Sequence, residues 1–488
     1  MKLASKWLSI CLKKHKRCAR PVIGAIPSRL LDVSAGRVRL VETDQISGVD
    51  RRFVALSWCW GGKVPLKTTA ETLKAHMDSV PWESLPPLFQ DVIYAVRTLG
   101  LKYLWIDALC IIQGSTEDWE KEAAKMQGVY QNATVTIAAD GTQNCLGRLF
   151  QHDHKRLANR TWSFDLLGPE KQDKGATVFV RLLREKDSRG WHRAQLPDAD
   201  ELYKDEDSGF LTSRSWCFQE QVLPPRTLHF ASTEVAWECL EGTYCECRVL
   251  PEKGSSRISS KTDFDPDQWM VMVEEMTLRD ITYQADRLPA IGGLAGRFPD
   301  HETYLAGLWK SKLIQHLAWK WGGSHDETAE RISGCHVPTW SWASLTGPVR
   351  FKFEGLPTAK LLDFRCKPAT KNPFGPVQED SFIELKAWAV DVGIQNASAE
   401  ESMSADRGFI LDYEEKRLCS AWNFNDWDIG TDVEILDEVR LALESSLSQN
   451  ESRALFVVIE LGSKAVEYGG STGLLLARAY ADIDHATS

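Results

Sequence analysis

At roughly 100–200 residues per domain, a chain of 488 residues has room for two to four domains, and it is far too long to depend on disulfide staples for a core. Hydrophobic residues make up 43% and charged residues 26%, which excludes collagen, a coiled-coil rod and wholesale disorder. The net charge of −10, with no large basic block, excludes a general nucleic-acid binder.

The basic charge is concentrated at the start, where residues 1–20 hold seven Lys/Arg and no acid. The segment does not read as a signal peptide. Its apolar piece, Trp7 to Leu12, is short, and Lys13, Lys14, Lys16 and Arg17 follow it directly. A mitochondrial presequence would be richer in Ser and in Arg. The segment reads as one amphipathic surface helix over 1–20, with Trp7, Cys11 and Cys18 on one face, ended by Pro21. The most apolar stretch, Leu99 to Ile112, is broken by Lys102 and Asp107, so no transmembrane segment is predicted. Twelve scattered cysteines in a large chain suit reduced thiols and a cytoplasmic location.

Residues 29–42 predict a short strand pair around Ala35-Gly36. Phe53 to Trp58 is a compact apolar run stopping at Gly61-Gly62, a buried strand and a loop. Leu88, Val92, Ala95 or Val96, and Leu99 are spaced for a helix with Gly100 at its C′ position. Leu101 to Ile106 is a second strand, ending at Asp107. Ser115 and Asp118 form a capping-box-like start for a helix running to about Tyr130. Val135 to Ala139 is a third strand. Strands alternating with helices predict an α/β domain with a parallel sheet. Residues 150–212 read as a variable insertion. The region 264–350 looks mainly helical to about 330. Beyond 380, SFIELKAWAV, RALFVVIEL and TGLLLARAY are β-type runs, with one helical stretch near 432–447. The expected organisation is an N-terminal segment over 1–45, an α/β domain over 46–240 with its core at 53–140, a mainly helical region over 241–350 and a β-rich region over 351–488.

In an open α/β sheet, ligands bind outside the carboxyl ends of the strands. That rule selects two places. The first is Trp58-Cys59-Trp60-Gly61-Gly62-Lys63, where glycines permit close backbone approach, Lys63 can meet a phosphate, and Trp58 or Trp60 can stack on a ring. The second runs from Asp107 at a strand end through Cys110 and Gln113 to Trp119 and Glu122. On a helical wheel Trp119, Ala123, Met126 and Tyr130 form the buried stripe, and Glu122 falls about 60° to one side, at the border of the apolar face. The bland reading of Glu122 is a boundary residue paired with Lys121 or Lys125.

Cys11, His15 and Cys18 run C-x3-H-x2-C, and Cys239, Cys245 and Cys247 run C-x5-C-x-C. Neither has the paired C-x2-C spacing of a zinc finger, and each supplies three ligands. The two sets could join in space, which spacing alone does not reveal, so packing thiols are the expectation and structural zinc is not. His229 near Cys217 is read as ordinary packing. No G-x-S-x-G, H-E-x-x-H, P-loop or G-x-G-x-x-G motif is present.

Taken in order, RFVALSWCWGG, LKTTAETL, the long block from LPPLFQDVIYAVRTLGLKYLWIDALCIIQ to QNATVTIAA, RSWCFQEQVLPPRTLHF and VAWEC resemble the HET (heterokaryon incompatibility) domain of filamentous fungi over about 53–240. SKWLSICLKKHKRC is similar to the W-x3-C-x3-H-x2-C leader of such proteins, and YQADRLPAIGGLAGRF and VPTWSWAS to blocks that follow the domain. The chain departs from the family pattern at Trp58, Gly114, Gln221 and Pro224. HET domains are distantly similar to TIR domains, some of which cleave NAD between nicotinamide and ribose. The resemblance therefore implies a TIR-like (flavodoxin-like) parallel sheet with flanking helices, followed by a mixed α+β region. It nominates Glu122 as the catalytic carboxylate, with Trp58, Trp60, Gly61, Gly62, Lys63, Asp107, Cys110 and Trp119 around NAD as substrate and no cofactor. Three functions follow as expectations. One is a cell-death effector of nonself recognition acting by NAD hydrolysis. Another is a non-catalytic module that self-associates into a homo-oligomer or recruits a protein partner. The last is the same fold turned to another small-molecule reaction.

Overall fold

Phe53–Ser57 is buried at every position, and that single property fixes the centre of the first half of the chain. A strand with no solvent-facing side must have a layer on each face. The computed structural model describes residues 1–150, 210–246 and 264–386, apart from gaps at 20–25, 35, 47–50, 64–65, 232–234, 265, 299–302, 324–328, 333–335, 352–355 and 358. It also describes the backbone of strands at 161–166, 176–181, 388–396, 409–413, 416–421, 453–461 and 471–477. The chain divides into two units, Met1–Asp263 and Phe264–Ser488.

In the first unit, helix α1 (Lys2–Lys14) precedes β1 (Arg29–Asp32), β2 (Arg39–Glu42) and β3 (Phe53–Ser57). Helices α2 (Leu73–Asp78) and α3 (Pro87–Thr98) lead to β4 (Tyr103–Trp105) and the one-turn helix α4 (Asp107–Cys110). Next come α5 (Thr116–Ala123), α6 (Met126–Asn132) and β5 (Val135–Ala138). A hairpin, β6 (Thr161–Leu166) and β7 (Ala176–Arg181), lies in the insertion. Helix α7 (Ser215–Val222), β8 (Arg226–Phe230), β9 (Val235–Cys239) and β10 (Gly242–Cys245) close the unit.

Eight of these strands form one sheet in the order β10-β9-β8-β5-β3-β4-β1-β2. The four central strands are parallel. Counted from β3, they lie in the order 2-1-3-4, so the chain reverses direction across the sheet between β3 and β5. Both edges are antiparallel: the β1–β2 hairpin on β4, and β9 and β10 beyond β8. The expectation of a parallel sheet holds for the centre alone. Edge strands buried on one face accept antiparallel partners joined by short turns, where a parallel partner would need a crossover.

Three local expectations change. The N-terminal helix stops at Lys14 and not near Pro21. His15 is extended, and residues 16–18 turn. Leu12 is exposed, and the residues from Lys13 to Arg17 are all basic, so no apolar face holds the second half helical. The helix after Ser115 is two helices, broken at Ala124-Lys125. Ser115 does cap it, accepting from Asp118 N at 3.2 Å. The break shifts the helical phase, so Trp119 is 38% exposed while Asp118 and Glu122 are buried, reversing the expected stripe. Cys110 lies in the helical turn of α4 and not in a loop. Helix α3 follows its expected spacing, and Gly100 stops it with a left-handed φ of +74°.

The second unit packs an aromatic cluster beneath the helix Pro266–Thr277. Trp269 meets Phe298, Tyr304 and Trp309 edge-on, and Phe298 stacks on Trp309 at 4.8 Å. The indoles of Trp269 and Trp342 both donate to Gly307 O, at 2.7 and 2.9 Å. A six-stranded antiparallel sheet uses the late β-type runs, including Trp388–Asn396, Arg453–Leu461 and Ser471–Ala477. The helical stretch expected near 432–447 lies outside the described residues.

Candidate functional site

The carboxyl ends of β3 and β4 bring together side chains from four stretches of sequence. Asp107, two residues beyond the end of β4 at Trp105, is the hub. Its Oδ1 accepts from Trp58 Nε1 at 2.8 Å, its Oδ2 from Trp60 Nε1 at 2.6 Å, and its own helix supplies Ala108 N at 2.7 Å. The two indoles stack at 5.8 Å, and Phe89 closes edge-on against Trp58. Trp58 is therefore buried, and Trp60 keeps the half-exposed ring. Gly61, Gly62 and Lys63 follow at the surface. Gly61 takes φ +51°, and a Cβ there would lie 2.3 Å from Gln143 O, so only glycine fits this turn.

Beside Asp107 stands Glu220, on α7. Ser57, the last residue of β3, donates its hydroxyl to Glu220 Oε2 at 2.5 Å. Tyr130 on α6 donates to Leu56 O at 3.3 Å, and its ring packs edge-on against Trp105. Arg214 reaches Cys59 Sγ at 3.7 Å. Burial pushes the Glu220 carboxyl up to about 7. The Ser57 hydrogen bond opposes this, the Asp107 carboxylate adds to it, and the Arg214 guanidinium opposes it. Burial likewise raises Asp107, against the two indole hydrogen bonds. Both acids still reach solvent in part. The arrangement is two neighbouring carboxyls with shifted affinities, a half-exposed indole and a guanidinium, at the strand ends where the sheet order reverses.

The other nominated residues sit elsewhere. Glu122 is 1% exposed. Its Oε1 accepts from Lys125 Nζ at 3.1 Å, and its Oε2 from Ser28 N at 3.1 Å. Next to it, Arg29 of β1 pairs with Asp118 and donates to Cys110 O at 2.8 Å. This network docks α5 on the start of β1. Cys110 is fully buried, and burial pushes its thiol up to about 12. Trp119 packs edge-on with Trp216 at 6.5 Å. The structure thus gathers Trp58, Trp60 and Asp107 at one place, with Gly61 to Lys63 alongside, and puts Glu122, Cys110 and Trp119 in other surroundings.

Sequence reading passed over Glu220, Ser57, Tyr130 and Arg214. Glu220 lies about 100 residues beyond Asp107, across the insertion. The one available signal was its position in the closing motif RSWCFQEQ. His229, read as packing, is held by Asp140 at 2.8 Å and Glu238 at 3.4 Å. Burial pulls its imidazole down, but the two carboxylates outweigh burial and bring it up to about 9.

Beside β9, where the N-terminal helix α1 packs, Cys11, His15, Cys18 and Cys239 converge, with one ligand atom from each lying within 4.8 Å of the others. The expectation counted three donors in each cysteine set. The fold adds Cys239 to the first trio. Cys247 lies outside the described residues.

Residues 53–220 match the family model described as Heterokaryon incompatibility protein (HET). The match begins on β3 and ends on Glu220, so it encloses the whole strand-end site. The chain carries a HET domain over about a third of its length. No curated protein and no solved structure matches it.

Proposed function

We propose that this chain is an effector of fungal nonself recognition, and that its HET domain hydrolyses NAD at the strand-end site as the step that commits the cell to death. The observation that carries this reading is the Asp107–Glu220 pair beside Trp60, at the reversal point of the parallel strands. A TIR-like ancestry for the sheet is supported by the 2-1-3-4 order of its parallel strands.

In the proposed reaction, the C–N bond between ribose and nicotinamide breaks. Nicotinamide leaves with the bonding electron pair and becomes neutral, so no general acid is required. Water adds to the ribose carbon and loses a proton, giving ADP-ribose. Glu220, with its affinity near neutrality, is suited to stabilise the oxocarbenium-like transition state and to accept the proton of the attacking water. Trp60 offers a ring face, and Gly61-Gly62-Lys63 with Arg214 offers donors for the diphosphate. Glu122, which the resemblance nominates, is assigned here to hold α5 against β1.

A second reading is favoured by the enclosure of Glu122. In that case the domain is a non-catalytic module acting through self-association or partner recruitment. Incubating the purified chain at high concentration with NAD, and following nicotinamide release, decides between them. The expected result is release by the unaltered chain, a fall of about 100-fold or more in Glu220→Gln, and the pH limb near 7 abolished. Intact NAD from a chain that still kills cells would leave the module reading standing. Release unchanged in Glu220→Gln but lost in a folded Glu122→Gln would move the chemistry to Glu122.

A further inference from the structure

We propose that Cys11, His15, Cys18 and Cys239 bind one zinc ion, which fastens the N-terminal segment to the edge of the HET-domain sheet. Four donor atoms, three sulfurs and one imidazole nitrogen, lie within 4.8 Å of one another. His15 Nδ1 is 3.3 Å from Cys239 Sγ. Zinc–sulfur bonds of about 2.3 Å and zinc–nitrogen bonds of about 2.0 Å put tetrahedral ligand atoms roughly 3.5–3.8 Å apart. Side-chain adjustments of an ångström or less therefore close the set. Four donors of the Cys3His type, all supplied by protein, make a closed structural site, and tetrahedral sulfur-rich coordination selects zinc.

The surroundings are built for the resulting charge. Three thiolates and a neutral imidazole around a divalent ion leave one net negative charge. Arg226, itself buried, donates Nε to Cys11 Sγ at 3.1 Å and another nitrogen to Cys18 O at 2.7 Å. It supplies the compensating cation and orients two ligand residues, as outer-shell partners do at metal sites. Its third nitrogen reaches Thr134 O at 3.3 Å, just before β5. The backbone accounts for the ligand spacing. Cys11 closes the last turn of α1, and the chain then leaves the helix at His15 and turns, so Cys18 comes back beside Cys11. Cys239 is the last residue of β9, against which α1 packs. Arg17 N also donates to Glu241 Oε1 at 2.6 Å across the same seam. Cys239 lies more than 200 residues beyond the other three ligands in sequence, so a metal here joins the two ends of the first unit.

The test is the metal content of the full-length chain, purified without chelator. The expected result is about one zinc per chain. Exchange with cobalt(II) should give the intense near-ultraviolet thiolate charge-transfer bands and the visible bands of a tetrahedral sulfur site. Cys18→Ser and Cys239→Ser should each lower zinc content at least about tenfold, while Cys366→Ser, remote from the cluster in sequence and outside the first unit, keeps it. Because a ligand variant can lose metal by failing to fold, the cobalt spectrum of the unaltered chain is the independent readout. The proposal is overturned if the unaltered chain holds no stoichiometric zinc and shows no cobalt thiolate bands. It is equally overturned if peptide mapping finds a disulfide among Cys11, Cys18 and Cys239, or if both ligand variants retain full zinc.

Discussion

Glu220 and Glu122 show how far two glutamates of one domain can differ. Glu220 reaches solvent in part beside a second carboxyl, and burial holds it near neutrality. Glu122 is sealed against Lys125 and Ser28 next to the Arg29–Asp118 pair. Breaking such a buried network on one side leaves an uncompensated charge. Arg29→Met is therefore expected to cost about 3–5 kcal/mol, measured as a lower denaturant midpoint with an unchanged slope. His229 gives a pH-dependent case. Its imidazole is raised from its ordinary 6.5 to about 9 by Asp140 and Glu238. The charged form is thus favoured in the folded chain. The stabilisation is complete below about pH 6.5 and is lost as pH rises through about 9. A melting temperature that falls across that window in the native chain, and less so in His229→Gln, is the expected result.

Helix α5 was legible at its start and misread along its length. Ser115 caps it as the capping pattern indicates, so Ser115→Ala should cost about 1 kcal/mol, read by thermal or denaturant melting. Its buried face, however, is acidic, because Arg29 on β1 offers Asp118 a partner, and Ser28 N offers Glu122 one, that no hydropathy wheel contains. Trp119, placed by the wheel in the core, is substantially exposed, whereas Trp105 on β4 is fully buried. Trp105→Ala should accordingly cost about 3–5 kcal/mol, and Trp119→Ala well under half of that, in parallel denaturant titrations. The continuous-stripe assumption failed because the helix breaks at Ala124-Lys125, and a phase shift there decouples Trp119 from Met126 and Tyr130.

The first unit, Met1–Asp263, contains its own eight-stranded sheet and every residue of both sites described above. A chain ending at Asp263 is expected to unfold in one cooperative transition, monitored by circular dichroism and calorimetry together. Absence of a cooperative transition by either probe would show that the unit does not fold alone. Among the described residues no helix is long and apolar enough to cross a membrane. The tryptophan excess has a structural use in both units. Trp58 and Trp60 bind Asp107, and Trp269 and Trp342 bind Gly307.

The sequence by itself determined what local chemistry controls. The central buried strands, helix α3 with its glycine stop, the Ser115 cap and the strand-end rule that selected Trp58, Trp60 and Asp107 all depend on residues within a few positions of one another. Family likeness over the first half was legible for the same reason, as ordered local motifs. Tertiary structure alone decided the antiparallel edges, the burial of Glu122, the arrival of Glu220 beside Asp107 and the addition of Cys239 to Cys11, His15 and Cys18. Each of these is a contact between residues far apart along the chain, up to more than 200 positions at the cysteine cluster. Such contacts are set by strand order and register, which follow from the packing of the whole sheet and are not encoded in the spacing of any single motif.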